Sequence, residues 1–200
     1  MRGRKPNVNR WEDHYTRRAK KEQFPARSVF KLKEIQHKFH LIKAGQRVLD
    51  LGCAPGSWLL YAAGLVGPEG RVIGVDLKPV TVRLPSNVRV LEADLLAPEG
   101  TLTETLAAAF DVLLSDMAPA TTGRKEVDAV RSMDLCRAAL DLSRNVLRPG
   151  AAMVCKIFQG SDFKELTASV GKAFAAHKLF KPQSSRKASK EIYIIATGKR

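Results

Sequence analysis

Arg47-Val48-Leu49-Asp50-Leu51-Gly52-Cys53-Ala54-Pro55-Gly56-Ser57-Trp58 is the stretch that decides the fold. Its first five residues are a short apolar run ended by a glycine turn, the pattern of a buried strand. After the turn, the apolar stretch 57–65 is predicted to be helical. Strand, glycine turn and helix in that order open an α/β unit, whose parallel sheet binds ligands beyond the carboxyl ends of its strands. The turn departs from the dinucleotide fingerprint G-x-G-x-x-G, because Asp50 stands where the first glycine belongs. A carboxylate there disfavours a pyrophosphate and favours a cation. Gly52 and Gly56 leave room for the backbone to approach a ligand closely.

Outward from this stretch, apolar runs alternate with amphipathic ones. RVIGVD (71–76), NVRVLEAD (87–94), DVLLSD (111–116) and AAMVCKIF (151–158) read as further strands. Helices are predicted near 99–109, 126–147 (stopped by Arg148-Pro149-Gly150) and 162–176. KLFKP (178–182) and EIYIIAT (191–197) are close in sequence and are expected to pair antiparallel as a hairpin at one sheet edge. Ahead of the first strand, 26–39 has helical spacing, with Val29, Leu32, Ile35 and Phe39 on one face. The expected fold is a single Rossmann-like α/β domain over 26–200, preceded by a basic arm over 1–25. Its sheet is mostly parallel and seven-stranded, with an antiparallel edge hairpin and helices on both faces.

Three successive strands end on Asp76, Asp94 and Asp116. A single strand-terminal Asp is often a turn or cap residue, but three beside a glycine loop suggest a ligand site. Asp76 suits the hydroxyls of a ribose and Asp94 the amino group of an adenine. With a cation expected near Asp50, these groups point to S-adenosylmethionine, which carries a sulfonium and an ammonium and no phosphate. A nicotinamide-dependent dehydrogenase is the competing enzyme class, and Asp50 weighs against it.

Composition narrows the class further. The chain has 200 residues, 44% of them hydrophobic, enough for one domain with a core. No apolar run approaches the ~18 residues of a membrane span. The segment MRGRKPNVNRWEDHYTRR lacks the apolar stretch of a signal peptide, so a cytoplasmic location is expected. Cys53, Cys136 and Cys155 are widely spaced and suggest neither a zinc site nor a disulfide framework. His37 and His40 have metal-pair spacing without a third ligand, so no metal is expected. The net charge of +14 is confined to the two ends: residues 1–43 hold 13 Lys+Arg against 4 Asp+Glu, and residues 181–200 hold 6 against 1. Such ends either keep a protein soluble or track phosphates. Arg17, Arg18, Lys20, Lys21, Arg186 and Lys187 are the candidate phosphate contacts. Trp11, Tyr15 and Phe24, interleaved with the basic residues, either stack on bases or pack a short helix on the core.

Lys156 is the oddest residue, a cation inside an apolar strand and near its carboxyl end. It reads either as a snorkelling or ion-paired lysine or as a desolvated amine able to act as a base. Asp116 is its expected neighbour, and an ion pair with Asp116 alone would hold the amine protonated. The second reading therefore needs another cation nearby. Cys155 should point to the opposite face of the strand.

The segments SVFKLKEI (28–35), DLGCAPGSW (50–58), SDMAP (115–119), CKIFQG (155–160) and SRKASKEIYIIATG (185–198) together resemble the RrmJ/FtsJ family of RNA ribose 2′-O-methyltransferases. The likeness runs from about Asn9 to Gly198, with Cys53 and Ser57 where members often have Ala and Gly. It implies a class I methyltransferase domain and a catalytic set of Lys31, Asp116, Lys156 and Glu191. In that set Lys156 is the general base, Lys31 is the missing cation and Glu191 has a lesser role. It also implies cofactor contacts at Gly56, Trp58, Asp76, Asp94 and Asp116, to which the reading of the glycine turn adds Gly52. The compact layout is similar to the bacterial enzymes that act on a uridine of large-subunit rRNA, implying an rRNA partner in the assembled subunit and a monomeric enzyme. The alternatives are a tRNA anticodon-loop enzyme and a catalytically silent RNA-binding assembly factor.

Overall fold

The structure, a computed structural model, describes residues 10–96, 106, 109–120, 122–160, 163–186 and 188–200. The apolar runs form strands β1 (Arg47–Leu51), β2 (Arg71–Asp76), β3 (Val88–Glu92), β4 (Phe110–Ser115), β5 (Leu147–Phe158), β6 (Phe174–Phe180) and β7 (Glu191–Lys199). They make one seven-stranded sheet in the order β3-β2-β1-β4-β5-β7-β6. The first five strands are parallel to their neighbours. β7 runs antiparallel to both β5 and β6, so the expected hairpin forms with β7 returning inside it and β6 on the edge.

Helices α1 (Arg10–Lys21), α2 (Val29–Phe39), α3 (Ser57–Val66), α4 (Lys125–Val146) and α5 (Phe163–Ala173) accompany the sheet. β4 is buried along its whole length because helices cover both faces. On one face Leu32 and Ile35 of α2 and Leu59, Ala62 and Val66 of α3 pack on Val48, Val112 and Val154. On the other, Met133 and Leu140 of α4 and Leu166 and Val170 of α5 pack on Leu49, Leu113 and Met153. Side chains alternate along a strand, so Cys155 joins the α4 side while Val154 and Tyr193 join the α2 side.

Several boundaries move for tertiary reasons. β5 begins at Leu147, ahead of the expected residue 151, because Leu147 pairs with Phe110 before a register shift. The helix expected to reach residue 176 ends at Ala173, where Phe174 pairs with Lys199 and Ala176 with Thr197. Pairing with β7 overrides the helix propensity of Ala175 and Ala176. Most of the helix expected over 99–109 lies outside the described residues, as do residues 1–9 of the arm and Lys187.

The arm's helix α1 rests on α2. Ala19 is buried, the Tyr15 ring lies 5.2 Å from that of Phe30, and Phe24 meets Tyr61 at 6.4 Å. Tyr15 and Phe24 are thus occupied in packing, the second of the two readings of this segment. Cys136 and Cys155, remote in sequence, place their thiols 2.9 Å apart between α4 and β5, and all three cysteines are free. Among the described residues no group of three or more His, Cys, Asp or Glu side chains is arranged to hold a metal, and no helix is long and apolar enough to cross a membrane.

Candidate active site

Strand register builds the site. Leu51 pairs with Val75 on one side and Ser115 on the other, so Gly52, Asp76 and Asp116 emerge together at one end of the sheet. Asp94 follows two residues beyond Glu92, which pairs with Asp76. These residues line a cleft of 520 Å³ with Ala54 and Met117, within the range of small-ligand sites. Gly52 has φ +73°, and a Cβ there would stand 2.5 Å from Met117 Cγ. Gly56, the residue that caps α3, has φ +107°, and its Cβ would meet Val82 Cγ2 at 2.9 Å. Neither position admits a side chain without strain.

Asp76 already accepts the Ala54 N–H at Oδ2 and the Lys78 N–H at Oδ1, each at 2.9 Å. Each oxygen keeps a second lone pair for a ligand hydroxyl. Asp94 Oδ1 accepts the Leu96 N–H at 2.9 Å, which fixes its turn. The indole of Trp58 is 3% exposed and its Nε1–H donates to the Ser28 carbonyl at 2.9 Å. Only the main chain of Trp58, in the first turn of α3 where N–H groups lack helical partners, can serve a ligand.

Asp50 supplies the test of what the cleft accepts. It is 1% exposed, and neither carboxylate oxygen has a hydrogen-bond partner. Burial, then the charges of Asp116 and Asp76, push its carboxyl well above the usual range. An unpartnered buried carboxylate is costly, and a cationic ligand would relieve it. The sulfonium and ammonium of S-adenosylmethionine meet that requirement, and a pyrophosphate does not. Beside it, burial pushes the Cys53 thiol upward too, away from the reactive thiolate.

On the α2 side the four residues of the expected catalytic set converge. Lys156 Nζ lies 2.9 Å from Asp116 Oδ1 and also donates to the Asp116 carbonyl. Lys31, carried by α2, places Nζ 2.8 Å from Glu191 Oε1. The β5–β7 register explains the grouping: Lys156 is opposite Tyr193, and Phe158 is opposite Glu191. Tyr193 is a fifth member that the sequence reading missed. Its hydroxyl donates to Asp116 Oδ1 at 2.5 Å, and Lys31 Nζ lies 5.9 Å from its ring centre. The signal was there in Glu191-Ile192-Tyr193, since residues two apart on a strand share a face.

Burial raises the Asp116 carboxyl, but Lys156, Lys31 and the Tyr193 hydroxyl outweigh it and hold the group below the usual carboxylate range. Burial and the charges of Asp116 and Glu191 push the Tyr193 phenol well upward, so it remains a neutral donor. Of the candidate RNA contacts, Arg17, Arg18, Lys20, Lys21 and Arg186 are exposed and outside this cluster. Arg18 pairs with Glu22 at 2.7 Å.

The family description "FtsJ-like methyltransferase" matches residues 24–199. The chain is 56% identical over 200 residues to the ribosomal RNA large subunit methyltransferase E of Desulforapulum autotrophicum, covering 100% of this chain and 98% of that one. It is 50% identical over 200 residues to the protein of the same name from Desulfatibacillum aliphaticivorans, covering 100% of this chain and 97% of the relative. A crystal structure of a Plasmodium falciparum protein described as a ribosomal RNA methyltransferase superposes with a TM-score of 0.77 at 24% identity, over 88% of this chain and 98% of that one, and shows the same fold. With the match running through nearly every element described above, this chain belongs to the family of FtsJ-like methyltransferases.

Proposed function

We propose that the protein methylates the ribose 2′-hydroxyl of a uridine in large-subunit (23S-type) rRNA, acting as a cytoplasmic monomer on the assembled subunit. The observation that carries this reading is the double membership of Asp116, which lines the cofactor cleft and holds Lys156. A methyl donor and a basic amine are thereby brought to one carboxylate. Gly52, Gly56, Asp76, Asp94 and the main chain at Trp58 hold S-adenosylmethionine, with Asp50 beneath them. When bound, the cofactor supplies an electrophilic methyl carbon on a cationic sulfur.

Lys156 Nζ is the base that accepts the proton of the ribose hydroxyl as its oxygen is alkylated. The resulting ammonium stays paired with Asp116. Tyr193 and Lys31 keep Asp116 ionised and in place, and Glu191 holds Lys31. The names of the two bacterial relatives support rRNA over tRNA as the substrate.

Incubation with a radiolabelled methyl donor and, separately, large subunits, free rRNA and tRNA, followed by mapping, tests the reading. Label on one ribose of the subunit is expected. Label confined to tRNA, or absent throughout, overturns it.

The basic arm over 1–25 is proposed to grip RNA phosphates through the outward face of α1, with Arg186 and Lys187 as further candidate contacts. Changing Arg17, Arg18, Lys20 and Lys21 to glutamine should weaken RNA binding. It should also flatten the salt dependence, by about 0.7 in log–log slope for each phosphate of a single strand that the arm ceases to neutralise. Filter binding across a salt series measures this. Unchanged affinity and slope would assign α1 to packing alone.

A further inference from the structure

A second depression, 710 Å³ in volume, lies beside the reaction centre and has no part in the chemistry above. Its walls are Tyr15 and Arg18 of α1, Lys33 and Lys38 of α2, and Phe180 and Lys181 at the end of β6. We infer that this groove carries the single-stranded RNA flanking the target ribose, an assignment that rests on the proposed action on RNA.

Position is the first argument. Lys31 and Lys38 are seven residues apart, close to two turns, so they share a face of α2 about 10 Å apart along its axis. Lys31 ends in the catalytic cluster and Lys38 in the groove. A polymer whose ribose sits at Lys156 and leaves along α2 enters this depression. β6 delivers its last residues to the same end of the sheet, because Phe180 pairs with Tyr193, the partner of Lys156.

Construction is the second. The groove is braced by Glu34, whose carboxylate accepts the N–H groups of Gln183 at 2.6 Å and Ser184 at 2.8 Å. Arg27 donates to the Ser184 carbonyl at 2.8 Å, and the Phe39 and Phe180 rings meet at 5.5 Å. The one acid of the wall is thus turned to main-chain amides. Arg18 and Lys33 share Glu22, whereas Lys38 and Lys181 pair with no carboxylate among the described residues. Lys38 Nζ lies 4.7 Å from the centre of the Phe180 ring. Cations spaced along a groove with an aromatic face, here that of the half-buried Phe180, are the means by which proteins hold single strands without reading sequence. An acidic peptide would use the cations and leave the Phe180 face idle.

The test compares K38E/K181E with R144E/K172E, an equal charge change at exposed positions on a different depression. A fluorescent single-stranded RNA probe and large subunits are used with the full-length protein. The groove variant should bind the probe at least tenfold more weakly with a shallower salt slope. On subunits its KM should rise with kcat nearly unchanged, while melting temperature and cofactor affinity stay as in the parent. Equal weakening in both variants would reduce the effect to net charge and overturn the assignment, as would unaltered binding in K38E/K181E. Competition by polyglutamate as strong as by RNA would also overturn it, in favour of an acidic protein partner. Absence of methyl transfer by the parent would sink the proposed activity alone, because probe binding is measured without turnover.

Discussion

Changing Lys156 to alanine is expected to lower methyl transfer about a thousandfold or more while leaving cofactor affinity within a few-fold. A positioned general base contributes ~10²–10⁴ to a rate, and Lys156 does not line the cofactor cleft. The alanine also strips Asp116 of its nearest cation. A buried carboxylate losing its partner is destabilising, so a lower melting temperature accompanies the loss. Lys156→Arg separates the two effects. A guanidinium can keep the pairing with Asp116, but it stays protonated and cannot accept a proton. The arginine variant should therefore fold and bind cofactor yet transfer no methyl. Single-turnover transfer from labelled donor, read beside a melting curve, checks this. Near-parental turnover in either variant would take Lys156 out of the chemistry.

Asp50→Asn should move stability and cofactor binding in opposite directions. The carboxylate is buried without a hydrogen-bond partner, and its pKa is raised. A carboxyl with a raised folded-state pKa binds protons more tightly in the native state than in the unfolded one. Its contribution to stability therefore falls as pH rises from its unfolded value, near 4, through its folded one. The amide removes that loss. The cofactor-free variant should melt about 2–12 °C higher at neutral pH, taking 1–3 kcal/mol for an unsatisfied buried group and 2–4 °C per kcal/mol for a chain of this size. It should also show less of the decline in stability that the parent shows on raising pH above 4. Asp116 behaves in the opposite sense. Its depressed pKa contributes stability above its unfolded value that is lost as pH falls. Cofactor affinity should drop roughly 10–100-fold, since a charge-assisted contact is worth ~1.5–3 kcal/mol. Melting curves at pH 5 and 8, with and without cofactor, report both effects. A less stable variant that binds cofactor normally would show that Asp50 serves the fold and not the ligand. A site residue that weakens the empty fold is the usual trade of stability for function.

Much of the fold was legible because local pattern and final structure agree. RVLDL, RVIGVD and DVLLSD are too apolar and too short to be anything but buried strands, and Gly52 and Asp76 stand at their ends in the sequence as in the fold. Agreement failed where pairing partners compete with propensity. Ala175 and Ala176 look helical until β7 draws them into a ladder, and Leu147 continues a helix until Phe110 claims it. Tyr193 looked like another apolar strand residue: its spacing from Glu191 put it on the right face, but only the fold brings its hydroxyl to a carboxylate 77 positions away.

The sequence by itself determined the α/β order, the glycine turn and the row of strand-terminal acids, because these depend on periodicities and turn chemistry that act within a few residues. Tertiary structure alone decided that Asp50 lacks a partner, that Cys136 meets Cys155, that Tyr15 and Phe24 are spent on packing, and that Lys31, Asp116, Lys156, Glu191 and Tyr193 share one site. Each of these depends on the antiparallel register of β7 against β5 or on which helix covers which face of the sheet. Those choices minimise buried polar cost over the whole chain at once, and no segment carries them alone.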